Sequence, residues 1–337
     1  MATENKFSTL LVYGATGTGK TREIGALSWD IWKRYGKRTR LISADGGGWG
    51  SIQDYVDSGL IEAINISDAE TPLTLLRMLA RGDWPERRIG QGPLGWTKRE
   101  KQANWDEIGM YAIEGFSSIA HMILRDQVNK GRKISEEVVG KFVEEDSETG
   151  EKFTFGAAGR SHYGFTHGAI LELIKGFQGL LNHGVRQIVF TSLESTGEDS
   201  ITKRKILGPA SVGSAITEII PQRVGDMIHL DIAAVPDGKG QREEYRAYYT
   251  NHVDPEINRA WPAKLRLGPE ASAAAAKSPE FKKGYIVLGG EDDQGIEREG
   301  IAKLLKWRDE MAGGGAEKLR QLMNNNNNNQ TKELANV

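Results

Sequence analysis

Leu10-Leu11-Val12-Tyr13-Gly14-Ala15-Thr16-Gly17-Thr18-Gly19-Lys20-Thr21 is the stretch that decides how this chain is read. An apolar run predicts a buried strand, and a glycine-rich turn closing on Lys-Thr follows it. Residues 21–35 then place Ile24, Leu27, Ile31 and Trp32 at helical spacing. Gly14-x-x-x-x-Gly19-Lys20-Thr21 is the phosphate-cradling pattern in its proper setting, after a strand and before a helix. Gly14, Gly17 and Gly19 let the backbone curl, so that the amides of residues 14–21, those of Ala15, Thr16 and Thr18 included, face inward at phosphate oxygens. The positive end of the following helix adds to that field. Lys20 reaches the β- and γ-phosphates and the Thr21 hydroxyl is a ligand for Mg²⁺. A glycine turn without a ligand would not require Lys-Thr at that place. The expected ligands are ATP and Mg²⁺.

Working outward, strands and helices alternate. Residues 38–44 predict a second strand, 51–58 a helix, 60–66 a third strand, and 71–81 a helix with Leu73, Leu76 and Leu79 on one side. Met110-Tyr111-Ala112-Ile113 is a buried strand, 117–128 a helix, 167–181 a helix, and Gln187-Ile188-Val189-Phe190-Thr191 another core strand. This order predicts an α/β fold: a mostly parallel central sheet with helices on both faces. Residues 226–235 and 243–250 alternate apolar and polar positions across Pro236-Asp237-Gly238-Lys239-Gly240, which predicts a C-terminal β-hairpin. Two polar insertions interrupt the pattern: 83–107, rich in Gly, Pro and Trp, and 131–160, acidic apart from Lys141 between residues 136 and 151. Residues 195–209 are expected as a polar loop. The core is therefore placed at 1–267, and 268–337 is expected as an Ala/Ser/Pro linker, a short amphipathic helix at 300–311 and a largely disordered tail with its Asn324–Asn329 homopolymer.

Composition narrows the function. With 337 residues the chain accommodates one large α/β domain with insertions. Zero cysteines exclude disulfide scaffolds, thiolate zinc sites and cysteine nucleophiles. The 44 basic and 46 acidic side chains leave a charge of −2, so nucleic-acid contact must be local. No apolar run approaches the ~18 residues of a membrane helix, and residues 1–8 show no secretory h-region. The expectation is a soluble cytoplasmic chain with no membrane partner. Trp29 and Trp32 are expected in the core, and the six histidines show no ligand spacing for a metal.

Three carboxylates compete for roles beside the cradle. Glu114 ends the strand 110–113, where a carboxylate can hold the Mg²⁺ shell or its water. Asp45 ends the strand 38–44 and can orient or deprotonate the attacking water. Its bland reading is an aspartate capping a turn. Glu194, just past the strand 187–191, competes for the same task.

Together these residues resemble the RecA-like P-loop ATPase core, in particular compact phage-encoded ATPases of recombination and single-strand annealing. The resemblance rests on Gly14 to Thr21, Leu41-Ile42-Ser43-Ala44-Asp45, Ile113-Glu114-Gly115-Phe116-Ser117-Ser118-Ile119, Ile188-Val189-Phe190-Thr191-Ser192 and Gly208-Pro209-Ala210-Ser211-Val212-Gly213, across about residues 8–267. It implies that Asp45 stands where the family has its water-activating glutamate and Glu114 where it has the Walker B aspartate. Each departs from the family by one methylene, about 1.5 Å of reach, which bears on turnover more than on ATP binding. Ser192 is nearest to the family's sensor position. The resemblance also implies a homo-oligomer, ring or filament, whose sites are completed by a neighbour's cation: Arg204 or Lys205 first, then Lys203 or Arg223.

It further implies DNA recombination or repair, with single-stranded DNA and other phage or host replication proteins as partners, in the host cytoplasm if phage-encoded. Arg87, Arg88, Lys98 and Arg99, with Trp96 among them, combine phosphate-seeking charge with stacking surface. The tryptophans of that insertion, Trp84 and Trp105 included, serve equally to pin it to the core. Two other readings stand beside this one: a scaffold with weak ATPase that nucleotide locks into an assembly, and a small-molecule or nucleotide kinase. The kinase reading calls for an acceptor pocket and an arginine-rich lid, which the hairpin and insertions fit poorly.

Overall fold

Leu10 and Val12 point to one side of their strand and Leu11 and Tyr13 to the other, and all four are at most 1% exposed. A strand buried on both faces belongs in the middle of a parallel sheet covered by helices. The computed structural model describes residues 8–45, 49–67, 69, 71–85, 99–100, 106–129, 141–145, 152–156, 158–198, 205–212, 214–238, 240–254, 258–289 and 300–311.

The elements follow one another as β1 (Ser8–Gly14), α1 (Lys20–Tyr35), β2 (Arg38–Ser43), α2 (Gln53–Asp57), β3 (Ile61–Asn65) and α3 (Pro72–Leu79). Next come β4 (Trp84–Pro85), β5 (Arg99–Glu100), β6 (Ile108–Glu114), α4 (Phe116–Asn129), β7 (Lys141–Glu145), β8 (Lys152–Gly156), α5 (Arg160–Gly179) and β9 (Gln187–Ser192). The remainder is β10 (Glu194–Glu198), β11 (Lys205–Pro209), α6 (Ser214–Arg223), β12 (Asp226–Asp237), β13 (Gly240–Tyr248), β14 (Thr250–Asp254), β15 (Arg259–Lys264), α7 (Pro269–Lys277) and β16 (Tyr285–Val287). Residues 300–311 form a last helix, α8.

One 12-stranded sheet carries the fold. Its centre, in the order β3-β2-β6-β9-β1-β12, is parallel throughout. Beyond β12 the sheet turns largely antiparallel: β12 pairs with β13, β13 with β16, β14 with β15 and β10 with β11. Helices cover both faces, as the alternation predicts. On one face Ile24, Leu27 and Ile31 of α1 pack on Leu10, Val12, Leu41 and Ile228. On the other, residues of α3, α4 and α5, Leu76, Ile119 and Phe177 among them, pack on Leu11, Tyr13, Ile42 and Ile188.

The structure corrects the sequence reading in four places. Residues 195–209 are no polar loop at their ends: β10 and β11 pair as an antiparallel hairpin, Ser195 opposite Gly208 and Glu198 opposite Lys205. α5 begins at Arg160, earlier than position 167, with the His162 Nδ1 accepting from the Gly159 amide to cap it. Trp32 is 42% exposed rather than core. With Trp29 and Tyr55 it lines a groove between α1 and residues 51–60.

The fourth correction concerns the expected linker. Residues 269–277 are the helix α7, β16 adds to the sheet, and α8 is packed into the same core as α1. Its first turn is anchored by Glu23 of α1, whose Oε2 accepts the Ile301 amide at 2.6 Å. Its last turn is anchored by Arg308, which pairs with the buried Asp226 at 2.5 Å. Leu304 is fully buried, so Leu304→Ala is expected to destabilise the protein by about 2–5 kcal/mol in chemical denaturation. Stability unchanged in that variant would contradict a docked α8.

Candidate functional site

All six parallel strands run the same way, so Gly14, Ser192, Glu114 and Ser43 finish their strands on one edge of the sheet. Ligands of such sheets bind at that edge, in the loops leaving the strand ends. The cradle sits there. A Cβ on Gly14 would collide with the carbonyl oxygen of Leu230, so only glycine lets β1 end against β12. Gly17 and Gly19 have φ of 85° and 93°, the left-handed values that turn the loop back into α1. The Thr18 hydroxyl donates to the Ala15 carbonyl at 2.9 Å and closes the turn, while Ala15, Thr16 and Gly17 are exposed to the solvent side.

Lys20 opens α1 and folds back over the loop, its ammonium donating to the Gly14 and Ala15 carbonyls at 2.9 and 2.6 Å. Burial lowers its pKa, and the nearby carboxylates of Glu194, Asp45 and Glu114 oppose that shift. The carboxylates singled out at three different strand ends are therefore near enough to act on one ammonium. One positive and three negative groups leave the site short of positive charge, which is the setting a divalent cation complements.

Glu114 is 2% exposed. Its Oε1 accepts the Thr21 hydroxyl, whereas its Oε2 is buried without a hydrogen-bond partner among the described residues. Burial pushes this carboxyl above the usual range, against the opposing pull of the Thr21 and Ser43 hydroxyls; the Ser43 hydroxyl, which also accepts the Asp45 amide, makes no well-formed hydrogen bond to Oε2. A buried carboxylate oxygen left unsatisfied is costly unless a ligand uses it. The oxygen-only set of Thr21 and Glu114 suits Mg²⁺.

Asp45 follows β2 and leans over the turn after Glu114. Its Oδ1 accepts from the Ser118 hydroxyl at 2.8 Å, and its own amide donates to Ser43 Oγ at 3.2 Å. Glu194 begins β10, and its Oε2 lies 3.2 Å from His229 Nε2.

Ser192 is a different matter. It is 1% exposed, and its hydroxyl donates to the Ala210 carbonyl at 2.8 Å and lies 3.0 Å from Ser117 Oγ. That hydroxyl ties β9 to the segment after β11 and to α4. The group that this strand end presents to the cradle is Glu194.

The two expected cations among the described residues are not brought here within the chain. Lys205 lies exposed on β11, opposite Glu198. Arg223 ends α6 and lines a cavity with Ser8 and Asp226, at the starts of β1 and β12. A seven-residue strand such as β1 separates it from the cradle edge by about 20 Å. Lys203 and Arg204 lie outside the described residues, as do Arg87, Arg88, Trp96 and Lys98. Of the nucleic-acid candidates only Arg99 is described, in β5, paired with Pro85. Trp84 is 3% exposed, edge-on to Tyr111 and under the Arg40 guanidinium, which makes it a core anchor of the insertion.

Sequence reasoning missed Ser117, Ser118 and His229. The serines stand three and four residues after Glu114, and their place at the start of α4 beside a strand end was the available signal. The alternation of β12 shows which face His229 takes but not that β10 lies there.

The chain matches no family model and no curated protein in sequence. Among solved structures it is similar to a KaiC-like protein of the hyperthermophilic archaeon Pyrococcus horikoshii OT3, at 14% identity and a TM-score of 0.39, covering 84% of this chain and 91% of that one. It is also similar to the flagellar accessory protein FlaH of Methanocaldococcus jannaschii, at 11% identity and a TM-score of 0.36, covering 72% of this chain and 76% of that one.

Proposed function

We propose that this protein is a Mg²⁺-dependent ATPase of the RecA-like type, built around the cradle of residues 14–21. The observation that carries the reading is the buried, unpartnered Oε2 of Glu114 beside the Thr21 hydroxyl, at the end of a strand two places from β1. Thr21 and Glu114 are the residues that would hold Mg²⁺, and the ion would supply positive charge against the β- and γ-phosphates. The amides of residues 14–21 bind and orient the polyphosphate, and Lys20 neutralises charge developing on the γ-phosphate. Asp45 or Glu194 accepts a hydrogen bond from the attacking water and takes up its proton.

In this proposal the protein works as an oligomer, a neighbour's cation completing each site, and acts on single-stranded DNA in recombination or repair. Support comes from the order of motifs in the sequence and from the placing of Lys205 and Arg223 away from the cradle. The expected result is phosphate release that requires Mg²⁺ and rises several-fold with single-stranded DNA. Turnover indifferent to DNA would remove the nucleic-acid part and leave the ATPase.

One observation favours the scaffold reading. Asp45, a methylene shorter than the family's glutamate, already has one oxygen engaged by Ser118. Nucleotide-dependent sedimentation without measurable turnover would decide for it.

A further inference from the structure

β12 sets His229 directly beside Tyr13 of β1, one residue before the cradle begins. The imidazole is 1% exposed and walled by rings: Tyr13 at 4.9 Å between centroids, Tyr248 at 5.9 Å, and Trp261 stacked at 5.7 Å. Tyr13 is itself fixed, its hydroxyl donating to the Pro262 carbonyl at 2.6 Å. Packing alone asks only for an aromatic ring here, and a phenylalanine would satisfy it without burying two ring nitrogens. Instead Nε2 lies 3.2 Å from Glu194 Oε2, and Nδ1 is buried with no hydrogen-bond partner among the described residues.

This pattern assigns the tautomer. An imidazolium would bury an Nδ1–H with no acceptor, whereas a neutral ring carrying its proton on Nε2 donates to the carboxylate and leaves Nδ1 as an unprotonated lone pair. The other titratable groups packed about the ring are Tyr13, Tyr248 and, beyond Tyr248, His252. Glu194 Oε2 is thereby occupied. The same carboxylate pulls on the Lys20 ammonium against the effect of burial.

We propose that His229 is a positioning residue for Glu194: its Nε2–H pins one carboxylate oxygen so that the other is presented, over Lys20, to the water that attacks the γ-phosphate. The proposal rests on the ATPase reading above, and it chooses Glu194 over Asp45 as the group that orients water. Asp45 then braces the turn after Glu114 through Ser118.

The test compares two substitutions in the full chain. His229→Phe keeps the ring and removes the donor, and kcat is expected to fall about 10- to 30-fold with KM for ATP within about twofold. His229→Gln carries an amide N–H to the Nε2 position and is expected to recover kcat to within about threefold of the parent. A Phe variant with unchanged kcat, or Phe and Gln variants equally impaired, would overturn the proposal, since a packing role predicts no rescue by Gln.

A second readout does not need turnover. In ¹⁵N-histidine NMR of the parent protein, His229 is expected as the neutral Nε2–H tautomer, its Nε2–H signal moving on Glu194→Gln. An Nδ1–H tautomer, or a signal indifferent to Glu194→Gln, overturns the pairing even where the Phe variant fails to fold. A parent protein that hydrolyses no ATP would sink the ATPase reading instead, and the spectrum would still decide the pair.

Discussion

Lys20→Ala is expected to lower ATP turnover by about 10²- to 10³-fold or more, the worth of one charge-stabilising donor at a phosphoryl centre. The ammonium lies over the cradle loop, and Glu194, Asp45 and Glu114 all act on it. Removing it leaves those carboxylates facing a polyphosphate, so ATP affinity falls as well as kcat. The Lys20 ammonium donates to the carbonyls of the buried Gly14 and the exposed Ala15, at the mouth of the loop where water can replace it. The thermal midpoint is therefore expected to change little. Phosphate release by the variant within threefold of the parent would contradict the role given to Lys20.

Glu114→Gln is the second large effect, and it separates function from stability. Gln keeps the shape and an oxygen for the Thr21 hydroxyl but offers no charge to Mg²⁺. Hydrolysis at limiting Mg²⁺ is expected to fall by about 10²-fold or more. Stability is expected to move the other way. Burial raises the Glu114 pKa in the folded protein, so the unfolded chain gives up this proton more readily than the native one. The parent then loses stability as pH rises through the raised pKa, and has its full share only below the ordinary carboxylate range. The neutral variant lacks that loss. Its metal-free melting temperature should exceed the parent's by about 2 °C or more near pH 8, and the gap should close as pH falls toward 4. A gap that widens on acidification would reverse the assignment of Glu114 as a carboxylate held against its preference.

How much of this was legible in the sequence depended on how local each signal was. The cradle was fully legible, because Gly14 to Thr21 encode it within eight residues and β1 and α1 flank it in sequence. Glu114 was legible for a similar reason: an apolar run ending on a carboxylate marks the edge of a parallel sheet. The hairpin β10–β11 was not. Its strands, Glu194–Glu198 and Lys205–Pro209, carry few apolar side chains, and what holds them is pairing to each other and to β15.

α7 was readable but misread. Pro269 stands at the first turn after Gly268, and the run Ala271–Ala276 is interrupted only by Ser272, a composition with high intrinsic helix preference that resembles a linker only by its polarity. Ser192 was placed by analogy of position, and only the structure shows its hydroxyl spent on the Ala210 carbonyl. The His229–Glu194 contact joins residues 35 apart through the pairing of β12 with β1, and no local pattern carries such a contact.

The central claim is that residues 14–21 grip a polyphosphate with Mg²⁺ at Thr21 and Glu114, and titration calorimetry with ATP and Mg²⁺ tests it most directly. The account predicts one saturable site per chain, weakened when Mg²⁺ is chelated and lost in Lys20→Ala. Absence of binding heat in the parent protein, or an isotherm that Lys20→Ala leaves unchanged, would contradict it.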